Sequence, residues 1–447
     1  LRPLKRQNDF NVKLHKISTH RTDLRQANAR RMDHFMSEQI NNSQHFDVVI
    51  AGGGIVGMSL ALALARLRKG ALSVALINQA QSLNEDRAFA FSAGSRRFLD
   101  VLGLWDHVLP EVQPLTQMVI TDSRLNDPIR PVFLTFADEI IRGEPVAYLI
   151  PESAVIRALQ AALDVSSVHR IEARVDDSVS DETGTTLSLS NGQTCRAALI
   201  AACDGGRSPL REKAGIAWHS WSYKQSGIVA TIGIERDHEG IAEEHFLPSG
   251  PFALLPLTER RFSIVWTESD DRVPSFLALG HEHFREEIER RAGFRFGPIT
   301  LLSEPRAYPL RFGLAQKFGI KRLVLVGDAA HLIHPIAGQG LNLGLRDVAA
   351  LIEIISDQSS LGLDLGSSRV IEAYERSRRA DTVEMAIVTD ALNRLFSNDA
   401  MPLRLIRDLG LGIVDRLPTI KSRLISEASA SNPRLPRLMR GETLPGL

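Results

Sequence analysis

Three short runs carry the residue types and spacing for binding a phosphorylated cofactor. The first is Gly52-x-Gly54-x-x-Gly57, within FDVVIAGGGIVGMSLALALARL from Phe46 to Leu67. Val48, Val49 and Ile50 are a β-branched run suited to a buried parallel strand, and the Ala- and Leu-rich residues after the glycines favour a helix. Strand, glycine turn and helix in that order are the context a dinucleotide fingerprint requires. Gly52 permits the tight turn, Gly54 lets the backbone approach a pyrophosphate, and Gly57 lets the helix pack close to the strand. The helix N-terminus then offers unpaired N–H groups and partial positive charge to the phosphates. The fingerprint alone does not separate FAD from NAD, and a glycine-rich structural turn is the plain alternative.

The second run is CRAALIAAC leading into Asp204-Gly205-Gly206-Arg207-Ser208, with Arg211 beyond. A strand that ends in Asp-Gly before a helix start reads as a second turn beside the cofactor, with Asp204 as a simple helix cap as the alternative. The third is RLVLVGDAAHLIHPIAGQGLNLGLRDVAAL, Arg322 to Leu351. Its strand, Leu323 to Val326, ends in Gly327-Asp328, where an aspartate can bond a ribityl or ribose hydroxyl. A helix starting near Gly340, Leu341 and Asn342 would aim its N-terminus at a flavin carbonyl, where negative charge gathers on reduction. His331 and His334 lack a third metal-ligand cluster, and Asp347, one turn into the helix, reads as structural.

Elements that must position these runs follow from the pattern around them. The second strand, Ser73 to Ile77, leads to the slot about 20 residues beyond the fingerprint where an acid normally meets the ribose. That slot holds Asn78, which can accept a hydroxyl but without charge, so adenosine binding is expected to be weakened. Arg87 reads equally as a contact to the pyrophosphate or ribose and as a surface partner of Asp86. Helices are expected from about Ser95 to Leu104 and from Ala154 to Leu163. A hairpin is expected over Thr185 to Ala202, its Asn191-Gly192 turn suiting type I′ geometry. Residues 216 to 310 alternate like an antiparallel sheet, with Ile228 to Ile234, Phe252 to Leu257 and Phe262 to Trp266 as its clearest strands. Tyr223, Phe246, Pro248, Leu254 and Trp266, with Pro335 from the third run, are the expected lining of a cavity for a greasy aromatic ligand. Beyond Leu351, apolar residues such as Met385 and Val388 recur at helical spacing, with a stripe that continues through Leu403 and Leu409.

These elements give an α/β chain with a Rossmann-like nucleotide lobe over 46–111, 149–215 and 316–370. It is interleaved with an antiparallel-sheet substrate lobe over 112–148 and 216–315, and followed by C-terminal helices over 371–447. At 447 residues, 44% hydrophobic and 24% charged, the chain can bury two packed lobes. Its 53 basic and 53 acidic residues balance, which gives no reason to expect a nucleic-acid partner. Cys195 and Cys203 are the only cysteines, too few for a disulfide framework and suited to a reducing compartment. No apolar run reaches the ~18 residues a membrane span needs. Residues 1–45 are polar and basic without either hydrophobic period. They read as a gene start placed too far upstream of Met36, or alternatively as an Arg-rich organelle-targeting segment.

Together the three turns resemble those of the single-component flavoprotein aromatic hydroxylases with the para-hydroxybenzoate hydroxylase fold. More narrowly, DRAFAFSAGSRRFLDVLGLW, GPFALLPL, HPIAGQGLNLGLRDVAAL, YERSRRADTVEMAIVTDALNRLF and LPRLMRGE are similar to the ubiquinone-biosynthesis branch. The resemblance spans Phe46 to Glu442. It implies FAD at Gly52, Gly54, Gly57, Arg87, Asp328 and the Gly340–Asn342 turn, with Asp204 and Arg211 in a turn near both FAD and NAD(P)H. It also implies that NAD(P)H reduces FAD, that O₂ adds to give a flavin hydroperoxide, and that an OH group passes to a prenylated phenol. Two departures stand out: Asn78 replaces the family's acid, and Ile150-Pro151-Glu152-Ser153 stands where the branch commonly has a Glu-Asn pair. The alternatives are another flavin oxidoreductase on the same fold, such as a polyprenyl reductase or oxidase, and a non-catalytic subunit of a quinone-synthesis assembly. The expected setting is cytoplasmic with peripheral contact at the inner membrane and with other quinone-biosynthesis proteins, or the mitochondrial matrix if residues 1–45 are a transit segment.

Overall fold

The computed structural model describes residues 44–67, 70–79, 87–122, 125, 132–137, 144–396, 435–445 and 447. The expectations for residues 1–43, for Asp86 and for the stripe through Leu403 and Leu409 lie outside them. One of its two large sheets is built on the fingerprint strand, Gln44–Ala51. That strand is flanked in parallel by Val74–Asn78 on one side and Thr194–Ala202 on the other, and Leu323–Leu325 runs parallel beyond Thr194–Ala202. Val48, Val49 and Ile50 have no exposed surface, as a strand covered on both faces requires. The helix Ile55–Arg66 covers one face and buries ten residues, from Ile55 to Ala65.

This strand order brings four carboxyl ends side by side. From one edge they lead into Gly327-Asp328, Cys203-Asp204, Gly52-x-Gly54 and Asn78. The ladder runs to the very ends of the strands: Cys203 N donates to Ala51 O at 2.7 Å and Gly52 N to Ile77 O at 2.8 Å. In a parallel sheet such a row of strand ends is where ligands bind.

The second large sheet is almost wholly antiparallel. Its order is His331–Leu332, Arg306–Ala315, Trp218–Ile234, Arg261–Ser269, Gly250–Leu257, Ile241–Leu247, Gln117–Asp122 and Val132–Ala137. Strand parity divides its faces. Ile228, Phe252, Leu254, Ile264 and Trp266 point one way, into a core closed by Phe276, Phe284 and Ile288. Gly227, Val229, Ala253, Leu255 and Val265 point the other way, into an open cavity. A small third sheet, Ala88–Phe91, Ala147–Pro151 and Gln113–Leu115, accompanies the two.

Three expectations are corrected. The stretch 216–310 is not sheet throughout: Val273–Leu277 and Gly280–Ala292 are helices. Phe284, Ile288 and Ala292, four residues apart, form the buried stripe of the longer helix. The Asn191-Gly192 turn is not type I′, which needs two positive φ values. Only Gly192 has one (+82°), and Gly192 N donates to Leu189 O at 2.9 Å. The helix expected over 95–104 is Ala93–Val101, begun by the Ser92 hydroxyl accepting from Ser95 N. On the C-terminal side, Gln339–Ser360 and Ser368–Phe396 are the longest helices among the described residues.

Candidate active site

A cavity of about 1440 Å³ runs from the four strand ends of the parallel sheet to the open face of the antiparallel one. A single drug-sized ligand occupies roughly 300–1,000 Å³, so this space suits a cofactor and a substrate together. Gly52, Gly54, Gly57, Asn78, Arg87, Asp204, Asp328, Gly340, Leu341 and Asn342 all lie on its wall, as do Phe246 and Pro335.

The fingerprint glycines differ in what surrounds them. Gly52 has φ +119°, and a Cβ there would sit 2.1 Å from Cys203 O; one on Gly57 would sit 2.0 Å from Gly52 O. Both positions therefore need glycine for the fold itself. A Cβ on Gly54 meets no atom within 4 Å, so its lack of a side chain leaves room for something absent from the chain. Gly54 is also the N-cap of the Ile55–Arg66 helix, with no side-chain cap and no acid in the first turn. The first amide groups of that helix are thus left for an anionic ligand.

The carboxylates along the strand ends are also underused by the protein. Asp204 accepts from Leu210 N at 3.3 Å through one oxygen, while its other oxygen is buried without a partner. Burial pushes its carboxyl up, against hydrogen bonds from Ser208 and Leu210. Asp328 opens into the cavity with protein around it. That enclosure raises its carboxyl, while His331 and Arg87 pull it back. Asn78 ends its strand and donates to Gln79 O at 3.2 Å. Its own side chain occupies the space beside Gly53, where a Cβ would lie 2.6 Å away.

Asn342 shows how the third turn is held. Its amide oxygen accepts from Ser92 N at 3.0 Å and Ser95 Oγ at 2.7 Å, and its nitrogen donates to Ala90 O at 2.8 Å and Gly338 O at 3.1 Å. The side chain is thereby spent on bracing, which leaves the helix-start backbone to meet a ligand. Gly338, at φ +62°, caps that helix. Behind it, Asp347 accepts from Gly327 N at 2.9 Å, His331 Nε2 at 2.6 Å and Arg378 Nε at 2.7 Å. Burial alone would raise the Asp347 carboxyl, but His331 and Arg378 outweigh it and hold it below the usual range.

Five expected site residues do not line the cavity. Arg211 donates to Ala329 O and Gly206 O, each at 2.9 Å, and stacks over Trp218 at 3.7 Å. It ties the second turn to the third rather than reaching a ligand. Leu254 and Trp266 fall on the wrong strand parity, and Trp266 packs edge-on against Phe276 at 4.4 Å. Pro248 is an exposed turn residue. Tyr223 donates to Asp390 at 2.9 Å and stands edge-on behind His334, their rings 5.0 Å apart.

Sequence reasoning missed others. Val265, Ala253, Leu255, Met118 and Ile120 form the apolar wall, and alternation from Phe246 could have found those on its own hairpin. Glu152 also faces the cavity at the start of the Glu152–Asp164 helix; burial raises its carboxyl and Arg87 offsets this. His334 is fully buried, and neither ring nitrogen has a partner among the described residues. Burial lowers its pKa to about 4, against the pull of Asp390, so the ring is neutral at ordinary pH.

Comparison with known proteins accords with this geometry. The FAD binding domain family matches residues 45–389. Ubiquinone hydroxylase UbiL of Rhodospirillum rubrum is 42% identical over 409 residues, covering 89% of this chain and 93% of the relative. The chain belongs to the FAD-dependent ubiquinone-biosynthesis hydroxylases. A second member, 3-demethoxyubiquinol 3-hydroxylase of Escherichia coli, is 32% identical, covering 86% of this chain and 99% of the relative. The fold is shared with p-nitrophenol 4-monooxygenase PnpA from Pseudomonas putida DLL-E4, with a TM-score of 0.70 and 18% identity, covering 90% of this chain and all of that one. The cofactor is FAD, and the uncapped helix start, the open space at Gly54 and the row of strand-end acceptors fit it.

Proposed function

We propose that the protein hydroxylates the aromatic ring of a polyprenylated phenol on the way to ubiquinone, with NAD(P)H as reductant and O₂ as oxygen donor. The observation that carries this reading is one continuous cavity with two unlike ends. Strand-end turns suited to FAD open onto a sheet face of Val265, Leu255, Ala253, Met118 and Ile120. Two relatives are named as a ubiquinone hydroxylase and a demethoxyubiquinol hydroxylase, which supports the same chemistry here. When bound, FAD supplies the redox chemistry that activates O₂ and delivers one oxygen atom to the ring.

The chain's own residues bind and orient. The first amides of the Ile55–Arg66 helix would hold the pyrophosphate, and Asp328 would take a sugar or ribityl hydroxyl. The start of the Gln339–Ser360 helix would present its N–H groups to a flavin carbonyl. The apolar sheet face excludes water from the reacting ring. Each buried CH₂ of a prenyl tail adds roughly 0.8 kcal/mol, so the tail can carry much of the binding. Such a substrate resides in a bilayer, and no described helix is long and apolar enough to cross one. The protein is therefore proposed to meet its substrate at the membrane surface, or through another protein of the pathway.

The test is incorporation of ¹⁸O from labelled O₂ into a prenylphenol by the FAD-loaded protein with NAD(P)H. One labelled oxygen per product is expected. Consumption of NAD(P)H with reduction of the prenyl chain, or with hydrogen peroxide as the only oxygen product, would assign the protein to another flavin chemistry.

A further inference from the structure

Glu244 is the single titratable side chain that the Ile241–Leu247, Gly250–Leu257 and Arg261–Ser269 strands present to the cavity. It sits in a row across the sheet, between Ile120 on one neighbour and Ala253 on the other, with Val265 and Val229 beyond. It is 4% exposed and has no hydrogen-bond or ion-pair partner among the described residues. Burial alone raises its pKa, to about 7. Its chain neighbours point to the other face and are occupied there. Glu243 meets Arg295 at 2.5 Å and His245 at 3.2 Å, and His245 also bonds Thr121 at 2.7 Å. On the same wall, the adjoining strands offer only the apolar residues Met118, Ile120, Pro251, Ala253 and Leu255. The cavity's other charged groups come from different elements: Arg87, Glu152, Arg174, Asp204, Arg207 and Asp328 around the cofactor turns, Arg311 on the Arg306–Ala315 strand, and Asp381 and Glu384 on the Ser368–Phe396 helix.

A buried carboxyl without a partner is costly, and the fold gives nothing in return for it. We propose that Glu244 receives the ring hydroxyl of the phenol and turns away aromatic rings that carry a carboxylate. Ionised, it accepts the phenolic O–H in a charge-assisted bond, which is stronger in a dry cavity than in water. The same charge repels a ring carboxylate seated beside it, the repulsive element that specificity requires. This deepens, and rests on, the reading that the cavity takes a phenolic ring.

The test is equilibrium binding to the full chain with oxidised FAD and no reductant, by calorimetry from pH 5.5 to 8.5. The two probes are 2-prenylphenol and 4-hydroxybenzoate. In the wild type, affinity for 2-prenylphenol should rise severalfold between pH 6 and 8, while affinity for 4-hydroxybenzoate should fall about tenfold per pH unit above 7. In Glu244→Gln both profiles should be flat. At pH 8 that variant should bind the phenol several times more weakly and the acid about tenfold more tightly. Flat profiles in the wild type, a measurement that needs no variant, would overturn the proposal. So would unchanged profiles in Glu244→Gln; if the wild type still hydroxylates the prenylphenol, the functional reading stands without Glu244. Failure of the wild type to bind 2-prenylphenol at any pH would overturn both.

Discussion

The two large sheets offer the cavity different parts of themselves. The sheet built on the fingerprint strand contributes the ends of its parallel strands, so its ligand-facing groups sit in the turns at Gly52–Gly54, Asp204 and Asp328 or, at Asn78, on a strand's last residue. The antiparallel sheet contributes a face, so its ligand-facing groups are every second residue along several strands. At a strand end, a substitution acts through backbone geometry. On a sheet face, the outcome depends on parity: one residue to either side exchanges the cavity for the core.

The largest effect should separate two glycines of one motif. Gly52→Val forces a side chain into Cys203 O at a positive φ, and little folded protein should be recovered, because several kcal/mol are lost. Gly54→Val adds atoms into open space. It should fold with an apo melting temperature near the wild type's, yet bind FAD at least ~100-fold more weakly, about 3 kcal/mol. Calorimetry of apo protein and FAD titration read the two. A Gly54→Val protein with normal FAD affinity would break the assignment of the strand ends to the cofactor.

Parity on the second sheet gives the next contrast. Leu254 is fully buried in the core under the Gly280–Ala292 helix, so Leu254→Ala should cost roughly 2–5 kcal/mol of stability and leave substrate KM near the wild type's. Its diagonal neighbour across the strand pair, Val265, faces the cavity. Val265→Phe should leave denaturation midpoints within about 1 kcal/mol but raise substrate KM at least tenfold, with FAD affinity unchanged. Equal effects from both variants would erase the difference between the faces.

A third prediction concerns pH. The carboxyl of Glu244 rises from an ordinary 4.5 to about 7 in the folded protein. Between those values the folded state binds more protons than the unfolded one, so stability falls as pH rises, and the loss is complete above about 7. Glu244→Gln should therefore be more stable than wild type at pH 8 by roughly 3 kcal/mol, with the difference closing near pH 4.5. Urea denaturation at pH 5 and pH 8 checks both size and direction.

The smallest effect is expected at Asn78. Restoring an acid with Asn78→Glu should add about 1 kcal/mol to FAD binding, slowing FAD dissociation around fivefold. Equal or faster loss of flavin from the variant would mean that the end of the second strand does not hold the ribose.

The contrast between the sheets also explains what could be read in the chain beforehand. The fingerprint, Asp204 and Asp328 were legible because strand ends announce themselves with glycine and aspartate beside a β-branched run. The cavity face was not, because Leu254 and Leu255, or Trp266 and Val265, are alike in type and differ only in direction. Phe246 and Trp266 are equally good candidates for the wall by type; Phe246 lines it, whereas Trp266, on the Arg261–Ser269 strand, packs in the core against the helices Val273–Leu277 and Gly280–Ala292, a stretch whose alternation reads as sheet. Arg211 and Tyr223 have the chemistry of ligand contacts, and only their hydrogen bonds to Ala329 and Asp390 reveal that they brace neighbouring segments. Glu244 is not legible as a cavity residue, because a carboxylate inside an alternating strand ordinarily faces water.

The most direct test of the central claim, that one cavity joins a flavin site to an apolar sheet face, is a substrate series of increasing prenyl length. Hydroxylated product per NAD(P)H consumed, and kcat/KM, would be measured in detergent at matched FAD occupancy for phenols with zero to three isoprene units and for 4-hydroxybenzoate. The structure predicts that kcat/KM climbs at least tenfold over the first isoprene units, with product tightly coupled to NAD(P)H, and that the small acid is a poor substrate. Equal efficiency with 4-hydroxybenzoate, and no gain with tail length, would contradict it.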